Sequence, residues 1–133
     1  MKKDTKKEIK PEVEQKVQGK GRLYRKTFTF LFKEGAEGDD LVQKQVCNCF
    51  GEIIHICEVD SPGSSPVMTQ LSIKNEDGLP IWDGGRAIFN PHHYDFVAAR
   101  RMMLENDTIR CAIANDPGPL GLRVDVIVSL IGG

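Results

Sequence analysis

A chain of 133 residues, 40% hydrophobic and 28% charged, has the bulk for one packed domain and little more. No apolar run approaches the ~18–20 residues that span a bilayer, and no apolar stretch follows the lysines of the N-terminus, so neither a membrane helix nor a signal peptide is expected. The formal net charge of −1 hides an asymmetry: residues 1–26 hold ten Lys/Arg against four Asp/Glu, and the remainder holds eight against fifteen.

Residues 1–21 carry Ile9, Val13 and Val17 four apart, enough for a short helix at most, because Pro11, Gly19 and Gly21 interrupt it. This segment reads as a flexible, charged N-terminal arm on a domain over residues 22–133. A basic arm on an acidic body can contact nucleic acid or an acidic neighbouring subunit, or be a solvated tail that contacts nothing; Lys6, Lys7, Lys10, Lys16, Lys20 and Arg22 are its candidate contacts. Nucleic acid is not an expected partner, since aromatics are scarce and are not interleaved with the basic residues.

The hydrophobic period then changes to two. Phe28, Phe30 and Phe32 alternate with Thr27, Thr29 and Leu31, which predicts an amphipathic strand. After a turn over 35–40, residues 41–50 are dense in β-formers and 53–57 form a further strand, with Gly51 as a candidate bulge or bend. Residues 60–66 are a loop, and 67–74 a strand with Val67, Thr69, Leu71 and Ile73 on one face. Asn75-Glu76-Asp77-Gly78 predicts a tight hairpin returning through 79–82, after which Asp83-Gly84-Gly85 breaks the chain. Residues 94–105 are ambiguous: their Ala, Met, Leu and Arg suit a short helix, but strands flank them. Two strands close the domain, one with Ile109, Cys111 and Ile113 on a face and one with Leu122, Val124, Val126, Val128 and Leu130. The sum is a mainly β chain: an antiparallel sandwich or jelly roll of about seven or eight strands, with at most one short helix.

The chemistry-bearing residues point away from catalysis. No nucleophile elbow, phosphate-binding loop, metalloprotease motif or paired-cysteine zinc ribbon is present. Cys47 and Cys49 stand one residue apart, poor spacing for a zinc knuckle, and with Cys57 and Cys111 they read as reduced, core-facing thiols. His92 and His93 face opposite ways in an extended chain, a poor two-point metal site, so they read as a polar surface connection. His55 falls on the face of Ile53 and Cys57, as a core or interface histidine. Asn75, Glu76, Asp77 and Asp83 offer oxygen donors, but turn chemistry accounts for them without calcium. No cofactor and no metal is expected. Trp82 and Tyr94 are candidate contacts if the domain binds a glycan or another ligand; a core tryptophan is the plainer reading.

Residues 71–81, Leu-Ser-Ile-Lys-Asn-Glu-Asp-Gly-Leu-Pro-Ile, followed by Gly84-Gly85, resemble a pattern in small tailed-bacteriophage virion proteins. There a strand runs into an acidic Gly turn, a short apolar return and a Gly-rich turn. The ending Gly118-Pro119-Leu120-Gly121 and the alternation from Leu122 to Leu130 resemble the close of those proteins, so the likeness spans about residues 67–131. It implies a non-catalytic virion structural protein, foremost a capsid decoration or cement protein. Its expected partners are capsid or other virion proteins and further copies of itself, and its place is the virion. A head–tail or tail component and a carbohydrate- or ligand-binding sandwich are the alternative roles.

Overall fold

The computed structural model describes residues 21–61, 67–87, 91–96 and 101–132. The expected arm lies outside them apart from Gly21. Nine strands follow in chain order: β1 (Arg22–Phe32), β2 (Val42–Val46), β3 (Gly51–Asp60), β4 (Thr69–Lys74), β5 (Pro80–Ala87), β6 (His92–Asp95), β7 (Arg101–Met103), β8 (Thr108–Ile113) and β9 (Leu122–Gly132). A single 3-10 turn, Gly38–Leu41, leads into β2. The strands form two antiparallel sheets. Sheet one runs β1-β9-β3-β6, with β7 also on β3, and sheet two runs β2-β8-β4-β5.

The alternation that predicts the strands also builds the core between the sheets. Phe28, Phe30 and Phe32 of β1 stand beside Val124, Val126, Val128 and Leu130 of β9, and face Leu71, Ile73, Ile109 and Cys111 of sheet two; all are buried. Burying each such side chain contributes about 1.5–3 kcal/mol, so the β1–β9 pair, in register without interruption from Phe32↔Leu122 to Arg22↔Gly132, anchors sheet one. The hairpin between β4 and β5 forms as its sequence predicts. Asn75 Oδ1 accepts from the Asp77 and Leu79 amides at 3.0 and 2.9 Å, and Gly78 takes φ +82°, where a side chain would be strained.

The antiparallel β-sandwich is as expected, with nine strands among the described residues against about seven or eight expected, because the 92–103 region supplies two short ones. No helix occupies the described part of 94–105. Its Arg101–Met103 segment pairs with Gly51–Ile53, burying Met103 and exposing Met102, so cross-strand pairing overrides helix propensity. Asp83-Gly84-Gly85 does not break the chain. It bulges within β5, where the Asp83 carboxylate accepts from the Gly85 amide at 2.8 Å and from Gln70 Nε2 at 3.0 Å.

A further correction concerns faces. Opposite β3 the register on β9 steps from Ser129↔His55 to Leu130↔Ile53, leaving Ile54 as an extra residue. That bulge inverts the alternation, so Ile53, Ile56 and Glu58 point inward while His55 and Cys57 lie on the outer face. Cys57 is therefore not a core thiol. Cys47 and Cys111 are buried, as expected, and Cys49 is half-buried. Cys47 and Cys49 do not share a strand: β2 ends at Val46, and Asn48 between them turns left-handed at φ +53°.

Candidate functional site

β1 is an edge strand. Its amide and carbonyl groups alternate between β9 and the outside, and Leu31 fixes which residues face out. The Leu31 amide donates to Gln43 Oε1 at 3.1 Å, the Gln43 amide nitrogen donates back to the Leu31 carbonyl, and Gln45 Nε2 donates to the Thr29 carbonyl at 2.6 Å. The glutamines of β2 thus close one half of this edge with side chains in place of a neighbouring strand. By the two-residue period, and with no bulge in the β1–β9 register, the backbone groups of Leu23, Arg25 and Thr27 point the same way. Among the described residues no strand pairs with that half. Arg22, Leu23 and Arg25 are exposed on it, and the chain enters it directly from the lysine-rich residues 1–20.

The outer face of sheet one adjoins this edge. Leu23 and Leu31 from β1, Ile131 from β9 and Val59 from β3 expose large apolar side chains there, Leu23 at 64%. Isolated exposed leucines are ordinary, but Leu23 and Ile131 are register partners beside the open half of β1 and make a small apolar surface there that suits burial against protein.

The opposite flank is shut. The edge strands β5 and β6 carry Trp82 and Tyr94, which meet edge to face with ring centroids 5.0 Å apart; Phe96 completes the group 5.4 Å from Trp82. Both rings are half-buried and pack against the core. A β-carbon on Gly84 would stand 2.8 Å from both rings, so glycine is what lets them close over the backbone. The structure thus brings Trp82 and Tyr94 together, though as a seal between the sheets rather than as an exposed aromatic platform. Of the basic candidates, Arg22 starts β1 and is exposed, while Lys6, Lys7, Lys10, Lys16 and Lys20 lie outside the described residues.

Beneath that seal lies a polar island that the sequence reading missed. Glu58 is 1% exposed inside the sandwich and accepts from the Thr69 hydroxyl at 2.5 Å; the same hydroxyl lies 3.3 Å from the Ala87 carbonyl. Among the described residues the second Glu58 oxygen and the Tyr94 hydroxyl have no hydrogen-bond partner. Burial, then the neighbouring Glu58 carboxylate, pushes the Asp60 carboxyl up to about 8, so at neutral pH Asp60 holds a proton. Burial and the same two acids also push the Tyr94 phenol up. Glu-x-Asp inside a strand is the one trace of this in the sequence, and the Ile54 bulge hides which way it faces.

Two neighbouring acids resemble a general-acid pair, but Glu58 is shut inside the sandwich against Thr69. Five shallow, solvent-open cavities of about 380–410 Å³ lie among the described residues, and none of these five is lined by Glu58 or Asp60. No helix among the described residues is long and apolar enough to cross a membrane. Neither a protein-family model, nor a curated protein, nor a solved structure matches the chain.

Proposed function

We propose that this chain is a non-catalytic structural subunit of a virion, a capsid decoration or cement protein, that assembles through its basic arm and the adjoining half of β1. The observation that carries the reading is the asymmetry of the sandwich's edges. One flank is sealed by Trp82 and Tyr94, and half of β1 is closed by Gln43 and Gln45, while among the described residues no strand pairs with the outward backbone groups of Leu23, Arg25 and Thr27, continuous with the arm. An edge of that kind adds a strand from a neighbour, with the main chain supplying affinity and side chains supplying register. Charge favours the same contact: residues 1–26 carry +6 and the rest of the chain −7, so the arm of one copy meets an acidic body on the next. The virion setting comes from the likeness of residues 67–131 to phage structural proteins. The glycan-binding alternative is weakened by the half-buried packing of Trp82 and Tyr94.

Deleting residues 1–21 is expected to leave the thermal unfolding midpoint nearly unchanged, because the β1–β9 ladder starts at Arg22. The same deletion is expected to reduce a defined oligomer to monomer in size-exclusion chromatography with light scattering. An oligomer of the same mass without residues 1–21 would remove the arm from the assembly.

A further inference from the structure

The Ile54 bulge that turns Glu58 inward turns His55 and Cys57 outward, and β6 lies directly beside them. In the β3–β6 register His55 faces Asp95 and Cys57 faces His93. Two residues apart on each strand, all four share the outer face of sheet one. They form a two-by-two patch in which directly opposed β-carbons stand about 4.5–5.5 Å apart. Across its diagonal His55 Nε2 and His93 Nδ1 approach to 3.0 Å, with ring centroids 5.1 Å apart. His55 and Cys57 are half-buried and His93 is exposed, so solvent reaches the patch.

We infer that His55, Cys57 and His93 form a site for a divalent ion of the zinc class on the outer face of sheet one. Two imidazole nitrogens and a thiolate are the donor set that such borderline-soft ions prefer. Nitrogens bound at 2.0–2.1 Å to a tetrahedral ion stand about 3.3–3.4 Å apart, so this pair need open by only a few tenths of an ångström. The third donor is not yet in place. Among the described residues no three His, Cys, Asp or Glu side chains converge on one point, so the Cys57 thiol turns toward the pair when the ion arrives. The ion displaces the thiol proton on binding. Asp95, opposite His55, or water takes the fourth position. His92 stands outside the site although it adjoins His93: it points to the other face and meets the Tyr94 ring at 4.4 Å between centroids. The sequence spacing of His92 and His93 thus misleads, because the partner of His93 is on another strand.

The test uses the full chain, stripped with a chelator and titrated with Co²⁺ as a spectroscopic probe, then with Zn²⁺ under equilibrium dialysis. One ion per chain is expected, with the visible bands of tetrahedral Co²⁺ and a thiolate-to-metal charge-transfer band. His55→Ala and His93→Ala are each expected to lose stoichiometric binding, and Cys57→Ser to lose the charge-transfer band, whereas His92→Ala binds as the parent does. Circular dichroism of each variant separates loss of the site from loss of the fold. A folded parent that takes up no ion overturns the inference. So does binding that survives His55→Ala or His93→Ala, a charge-transfer band that survives Cys57→Ser, or binding lost in a folded His92→Ala protein.

Discussion

Phe30→Ala is expected to destabilise the domain by about 3–5 kcal/mol, the usual cost of emptying a fully buried aromatic site. Phe30 is 0% exposed and sits near the C-terminal end of β1, opposite Val124, with Phe28 and Phe32 on either side. The neighbours cannot collapse into the space, because the β1–β9 ladder holds their backbones in register on one side and sheet two bounds the other. Domains of this size are stable by only about 5–15 kcal/mol, so the variant comes close to unfolding at ambient temperature. Urea unfolding of parent and variant measures the difference. A loss below about 1 kcal/mol would mean that the sheets do not pack over the β1 phenylalanines.

Stability should also fall as pH rises from about 4 to about 8, and Asp60→Asn should abolish that component. The sign follows from the proton count. The Asp60 carboxyl ionises near 8 in the fold but near its ordinary 3.8 when exposed. Between those values the folded chain holds a proton that the unfolded chain releases, so each step up in pH favours unfolding. Below about 4 both states are protonated and the full contribution is present; above about 8 it is lost. Asparagine is neutral throughout and can still donate a hydrogen bond to Glu58. The variant is therefore expected to match the parent near pH 4 and to have the higher thermal midpoint at pH 8. The difference between the two proteins cancels the titrating groups remote from Asp60. Parallel midpoint curves across that range would show that Asp60 is ionised in the fold.

Strands with clean alternation over six or more residues were legible from sequence. β1, β8 and β9 each bury one face and expose the other, so a period of two named both the strand and its inner side. The β4–β5 turn was legible because Asn75 and Gly78 have few other uses in that spacing. Legibility failed where one residue changed the count. The extra Ile54 in β3 exchanged the two faces, which put His55 and Cys57 outside and buried Glu58. It failed again at Arg101–Met103, whose helix-forming side chains met an open edge of β3. The candidate sites suffered most, since the Gln43 and Gln45 contacts to β1 and the meeting of His55 with His93 both join residues remote in sequence.

If copies of this chain join through the open half of β1, Thr27→Pro in the full chain should separate them. The Thr27 amide points away from β9, so proline removes an outward donor and leaves the β1–β9 ladder intact. Light scattering on the folded variant is predicted to find monomer where the parent forms an oligomer. A folded variant with the parent's oligomeric mass would contradict assembly through this edge.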